Sequence, residues 1–267
     1  MHWSQARREH LRLFDKRLLA NIVFARHRIV AAEGLWHGYT PRALRMNPKV
    51  KRFRTRVRGL VPGLFVFGKG LGLLYSKRSF LRNAGYSLSV RLKRPVRADG
   101  SPVPWMTYSA ISILEKRLTP DLTVFEFGSG NSTLFFARLV SKVVSVECDR
   151  DWYETLSRAL PANVELLLCN PYQREAYLAY LTAQDREFDL IVVDAEDREA
   201  CLRVAPARLS ARGVIVLDDA DRPSYAAEAD RLVDAGFKRL DFEGLKPGGI
   251  RLYATAIFYR PGNVLGL

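Results

Sequence analysis

An apolar run that breaks on a double-glycine turn constrains this chain more than any other feature. Val124-Phe125-Glu126-Phe127 leads into Gly128-Ser129-Gly130-Asn131-Ser132-Thr133, and a second apolar run, Val143-Val144-Ser145-Val146, ends on Glu147. Glycines at 128 and 130 let the turn take backbone angles closed to other residues, and a ligand can approach the main chain with no Cβ in the way. Strand, glycine turn, helix, strand and terminal acid form the layout of a nucleoside-binding βαβ unit, with Glu147 placed to accept both hydroxyls of a ribose.

A dinucleotide site of the Gly-x-Gly-x-x-Gly type needs a third glycine at position 133, where this chain has Thr133. An acid stands two residues before the first glycine instead. The segment Glu126-x-Gly128-x-Gly130 resembles the first motif of class I S-adenosylmethionine-dependent methyltransferases. With Gly85-Tyr86, the stretch Pro95 to Ile111, and Ser145-Val146-Glu147, it is similar to a largely uncharacterised bacterial group within that superfamily. The resemblance covers roughly residues 80–260. It implies S-adenosyl-L-methionine as cofactor, an enzyme of the methyltransferase class, and a cofactor contact set of Glu126, Gly128, Ser129, Gly130, Ser132, Thr133, Glu147, Cys148, Asp194 and Tyr108. Trp105, Thr107 and Tyr108 fall where a preceding helix would close over the cofactor.

The pattern downstream is regular. Pro104–Leu118 reads as a helix, and Leu122–Phe127, Lys142–Glu147, Asn163–Leu168, Phe188–Asp194 and Gly213–Leu217 read as buried strands, each followed by a helix-compatible segment. Five strand–helix alternations predict a doubly wound, mostly parallel α/β sheet. Phe237–Phe242 and Leu252–Arg260 lack an intervening helix, so they predict an antiparallel C-terminal hairpin, which resembles the last two strands of a seven-stranded, Rossmann-like methyltransferase sheet.

Composition adds a second part. At 267 residues with 48% apolar content, the chain suits one α/β domain of ordinary size plus an extension. The net charge of +14 is concentrated: residues 1–100 hold 23 Lys and Arg against 4 Asp and Glu, and residues 101–267 hold 19 against 24. The division expected is a basic, largely helical N-terminal extension over 1–100 and a cofactor-binding domain over 101–267. Leu11, Phe14, Leu18, Ile22, Ala25 and Ile29 recur at helical spacing, and residues 47–58 form a dense basic run with little aromatic interleaving. Such an arm fits an anionic partner (nucleic acid, a membrane surface or an acidic glycan) or a solvated basic surface, and the sequence leaves these open. Residues 60–75 are apolar but too short to span a bilayer, and Met1–His10 carries no secretory pattern, so a cytoplasmic protein is expected, with peripheral membrane contact as one option. Cys148, Cys169 and Cys201 show no metal-ligand spacing and fit a reducing compartment.

In an open α/β sheet, ligands gather beyond the carboxyl ends of the strands. Those ends present Glu126, Glu147, Cys169-Asn170, Asp194-Ala195-Glu196 and Asp218-Asp219. Their acidity suits a cofactor carrying a sulfonium, a ribose and an ammonium group. Asp194 and Asp219 are the candidates to orient or deprotonate an acceptor. Asp194, Asp218 and Asp219 also resemble the divalent-cation ligands of catechol-type O-methyltransferases, an oxygen-only set suited to magnesium or calcium. Position 197, where that group carries a catalytic lysine, is Asp, and no metal is assigned. Asn170-Pro171-Tyr172 follows the third strand, so it reads as a loop turn and not as the Asn-Pro-Pro-Tyr motif that follows a fourth strand. The acceptor favoured is a small molecule or glycan, methylated on oxygen or nitrogen, with nucleic acid bound through the arm as the alternative and a non-catalytic protein of the same fold as another.

Overall fold

The computed structural model describes residues 62–169 and 174–267. The helix expected within the first thirty residues, the basic run at 47–58 and the Asn170–Tyr172 turn lie outside them. The chain divides into two compact units, Met1–Pro62 and Gly63–Leu267, and all described residues but Pro62 belong to the second.

The described elements begin with helices α1 (Pro62–Tyr75), α2 (Phe80–Asn83), α3 (Tyr86–Leu92) and α4 (Tyr108–Arg117). Strands and helices then alternate: β1 (Thr123–Phe127), α5 (Asn131–Ala137), β2 (Lys142–Glu147), α6 (Arg150–Ser157), β3 (Val164–Leu168), α7 (Arg174–Thr182), β4 (Phe188–Val193) and α8 (Arg198–Val204). The chain closes with β5 (Leu209–Leu217), α9 (Ala226–Asp234), β6 (Lys238–Gly244) and β7 (Tyr253–Tyr259). All seven strands form one sheet of order β3-β2-β1-β4-β5-β7-β6. The first five pair in parallel, and β7 runs antiparallel to both β5 and β6. The doubly wound sheet and the antiparallel closing pair are those expected.

Alternation along the central strands sends side chains to two separate cores. Phe125 and Phe127 of β1, Ile191 and Val193 of β4, and Ile215 and Leu217 of β5 pack with Tyr177, Leu181, Leu202 and Leu232 from α7, α8 and α9. Val124, Leu190, Val192, Val214 and Val216 pack on the other face with Leu114, Phe135 and Phe136 from α4 and α5. Because both faces are covered, the strands read as continuous apolar runs.

Two boundaries differ from expectation by more than two residues. Helix α4 starts at Tyr108, because Thr107 is extended (φ −61°, ψ 144°) and donates its backbone N–H to Thr255 Oγ1 at 3.1 Å, which pins the preceding segment to the sheet edge. Strand β5 starts at Leu209, four residues early, across a register irregularity between Phe188 and Leu190. The segment before α4 is latched by Ser89, whose Oγ accepts from the Val96 N–H and donates to the Val96 carbonyl. Gly85 makes that latch: at φ +81°, an added Cβ would lie 2.3 Å from the Val96 carbonyl oxygen.

Candidate active site

The β1–α5 turn sits over the carboxyl ends of β1, β2 and β4. Gly128 adopts φ +100°, and a Cβ there would lie 2.4 Å from the Asp194 carbonyl oxygen, so only glycine lets the turn close on β4. Its N–H donates to the Val146 carbonyl, and the Asp194 N–H donates to the Phe127 carbonyl. Glu147, at the end of β2, receives the Ser129 hydroxyl at 2.5 Å and the backbone N–H groups of Cys148 and Asp149. The glycine turn and the acid are thus in direct contact, held together by Ser129.

Glu126 has a different place. On β1 it alternates to the α5 face, where Thr133 and Ser145 donate their hydroxyls to its Oε2 at 2.6 and 2.9 Å. Thr133 Oγ1 in turn accepts the Gly130 N–H at 3.0 Å, so a carboxylate beneath the turn holds the turn's shape. Glu126 is fully buried, with Ser132 beside it, and its Oε1 has no hydrogen-bond partner. Burial pushes its carboxyl up to about 7, against the pull of its hydroxyl neighbours and with repulsion from Asp194 adding to the rise.

The carboxyl ends of β4 and β5 carry an acid cluster threaded by cations. Asp194 accepts from Arg198, the first residue of α8. The N-cap of α8 is Asp197, which receives the Ala200 N–H, so Asp194 is not consumed as a cap. Lys246, only 5% exposed, bridges Asp218 Oδ2 and Asp219 Oδ1. Asp219 Oδ2 also accepts from Arg222 at 2.5 Å, and Arg198 stands 3.8 Å away. Asp218 Oδ1 accepts from Thr255, the residue that receives the Thr107 N–H. Burial, reinforced by Asp194 and opposed by Lys246, pushes the Asp218 carboxyl up to about 7. Burial would raise Asp219 as well, but Lys246, Arg198 and Arg222 hold it below its ordinary value. Asp218 and Asp219 therefore converge on Lys246, and no group of three or more metal-ligand side chains forms among the described residues.

Lys246 is the residue the sequence reading missed. A signal for it exists in the topology: with β7 antiparallel to β5, and β6 antiparallel to β7, the β6–β7 connector must lie at the carboxyl edge of β5, beside Asp218. Trp152 was also missed; from α6 its indole N–H donates to the Ser129 carbonyl at 3.1 Å. The remaining candidates lie nearby or behind. Cys148 is half-buried beside Cys169, and burial and that neighbour push its thiol up to about 12, which keeps it protonated and unreactive at neutral pH. Tyr108 packs edge-on against Phe80 with ring centroids 5.3 Å apart, its N–H donates to the Leu245 carbonyl, and its buried hydroxyl lacks a partner. Trp105 is half-exposed and donates its indole N–H to the Pro247 carbonyl at 2.9 Å.

Strand order gives a doubly wound, Rossmann-like sheet, with the glycine turn and the acids at its strand ends. No family model matches the chain, and neither does any curated protein. Among solved structures, it is similar to a precorrin-6y C5,15-methyltransferase from Geobacter metallireducens, with 17% identity, 57% of this chain and 86% of that one covered, and a TM-score of 0.44. It is similar to a methyltransferase from Pyrococcus furiosus at 16% identity, with 66% and 94% covered and a TM-score of 0.45. It is also similar to a spermidine synthase from Thermotoga maritima at 16% identity, with 55% and 56% covered and a TM-score of 0.41.

Proposed function

We propose that the protein is a class I methyltransferase that binds S-adenosyl-L-methionine over the β1–α5 turn and transfers its methyl group to an oxygen or nitrogen of an acceptor. The observation that carries this reading is the Gly128 turn, closed to van der Waals contact on the Asp194 backbone and joined through Ser129 to the Glu147 carboxylate. The residues fit the cofactor on their own chemistry. Glu147 offers a carboxylate for a ribose diol, and the turn offers backbone free of side chains at Gly128 and Gly130.

When bound, the cofactor supplies the electrophilic methyl and its own leaving group. The chain has then to align the acceptor and exclude water, which account for most of the acceleration in such a displacement. Asp194 is suited to orient the acceptor, because its side chain retains 26% exposure while Arg198 fixes one oxygen. Asp219, the other acid expected there, has Lys246, Arg198 and Arg222 around it and serves best to hold Lys246. Asp218, buried with one oxygen held by Lys246 and the other by Thr255, serves to fix Lys246 in the cluster. Glu126 and Thr133 act through the turn that they brace.

A small molecule or glycan remains the favoured acceptor, and nucleic acid held by the basic arm is the alternative. Calorimetry with S-adenosylmethionine tests the cofactor site. Glu147→Ala and Gly128→Val are expected to weaken binding at least tenfold, about 1.4 kcal/mol or more. Binding equal to the parent in both variants would sink the assignment.

A further inference from the structure

The described residues expose thirteen large apolar side chains, and ten of them lie in two segments, 66–105 and 250–252. Exposure is deep in both: Val66 is 68% exposed, Phe67 54%, Val90 52%, Ile250 88% and Leu252 66%. Scattered surface leucines need no explanation, but a concentration of this kind marks an interaction surface.

The two segments meet in the fold. An added Cβ on Gly248 would lie 3.6 Å from the Val90 side chain, so the β6–β7 connector rests on α3. Trp105 and Tyr108 bond to Pro247 and Leu245 of the same connector, and Phe80 packs on Tyr108. Arg82 donates to the Tyr75 carbonyl at 2.7 Å and ties α2 to the end of α1. The connector, eight residues between β6 and β7, therefore runs from Lys246 inside the acid cluster to Ile250 and Leu252 at the surface.

Charge identifies the occupant. Residues 62–98 contain eight Lys and Arg and no Asp or Glu. Lys77, Arg78, Arg91, Lys93 and Arg94 are all exposed among the apolar residues, and Arg251 lies between Ile250 and Leu252. Apolar side chains ringed by cations suit the headgroup boundary of a bilayer with anionic lipid, where the former enter the acyl edge and the latter meet phosphate. No described helix is long and apolar enough to cross a membrane, so the contact lies on the surface.

We propose that α3 and the β6–β7 connector, together with the exposed apolar side chains of α1, dock on an anionic membrane surface, which brings the acid cluster to acceptors held in or on the bilayer. The docking itself does not depend on the cofactor; only the statement about the acceptor rests on the methyltransferase reading.

Flotation of the full-length chain with vesicles tests it. Phosphatidylcholine vesicles containing phosphatidylglycerol are expected to carry the protein, and pure phosphatidylcholine vesicles to carry far less. The Ile250→Ser/Leu252→Ser double variant and, separately, Phe67→Ser should weaken binding to the mixed vesicles roughly tenfold or more, since each removes apolar area that would leave water. Val233→Ser, an exposed apolar residue on α9, should leave binding at the parental level. Thermal unfolding equal to the parent shows that the variants fold, as expected for exposed positions. Binding undiminished in both apolar variants would overturn the proposal, because attraction through the basic arm alone predicts that result. It would be overturned equally if the variants lost affinity for a structured RNA but kept it for vesicles. Cofactor binding is read separately by calorimetry, so failure of the docking face and failure of the cofactor site give different results.

Discussion

Single residues at this site do two kinds of work, and Glu126 separates them. It belongs to the glycine motif in the sequence, yet the structure turns it inward, where it holds Thr133 and Ser145 and leaves one oxygen without a partner. Its carboxyl, raised from an ordinary 4.5 to about 7, stays protonated in the folded chain where the unfolded chain has already ionised. The stability this gives is fully present below about pH 4.5 and is lost as pH rises through 7. Glu126→Gln keeps an acceptor for both hydroxyls and removes the ionisation. Its melting temperature should match the parent near pH 4.5 and exceed it at pH 8, by up to about 3 kcal/mol in denaturant titrations. A variant less stable than the parent at pH 8 would mean that the charged carboxylate is needed. The alternation of β1 makes Glu126's inward direction readable in principle, since it shares a face with Val124, but its partners come from β2 and α5 and are set only by register.

At the scale of elements, apolar runs identified the central strands because burial on both faces leaves little else to read, whereas β6, a largely exposed edge strand, is marked by the turn residues that follow it. Boundaries failed where a side-chain contact decided them, as at Thr107, whose bond to Thr255 keeps Pro104–Thr107 out of α4. The β6–β7 connector is the sharper case: Gly244, Pro247, Gly248 and Gly249 announced a turn, and nothing local marked Lys246 as the cation that two strand-end acids share. Its contribution can be measured. Lys246→Met leaves two buried carboxylates facing each other without their common partner, a loss that costs about 3–5 kcal/mol for a buried pair broken from one side. The sign of the pH dependence follows from Asp218, whose raised carboxyl gives stability at low pH that is lost on passing about 7, and removal of the cation raises it further. The deficit of Lys246→Met, measured by chemical denaturation, should therefore be larger at pH 8 than at pH 5. An equal deficit at both would show that Lys246 contributes packing against Tyr253 instead, over whose ring its Nζ sits at 5.0 Å.

The whole second unit is organised so that one edge of the sheet collects its chemistry. Parallel strands deliver Glu126, Glu147, Asp194 and Asp218 to that edge, and the reversal at β7 returns Lys246 and Thr255 to it. The first part of this is legible in sequence, because strand ends can be counted; of the second, the hairpin is legible but not which connector residue meets Asp218 and Asp219. Since the turn over β1 touches β2 through Ser129 and β4 through Gly128, a ligand bound there contacts three strands at once and binds only the folded sheet. Such linkage stabilises the fold by about 2.7 kcal/mol at a hundredfold excess over Kd, which for a unit of this size raises the melting temperature by roughly 5–11 °C. On the proposed reading, S-adenosylhomocysteine should produce that rise in the parent and in Glu126→Gln at pH 5, where both carry a neutral side chain at 126. Gly128→Val should show none at any accessible ligand concentration, because its added side chain meets the Asp194 carbonyl before any ligand arrives. A rise in Gly128→Val equal to the parent's would place the ligand elsewhere on the molecule.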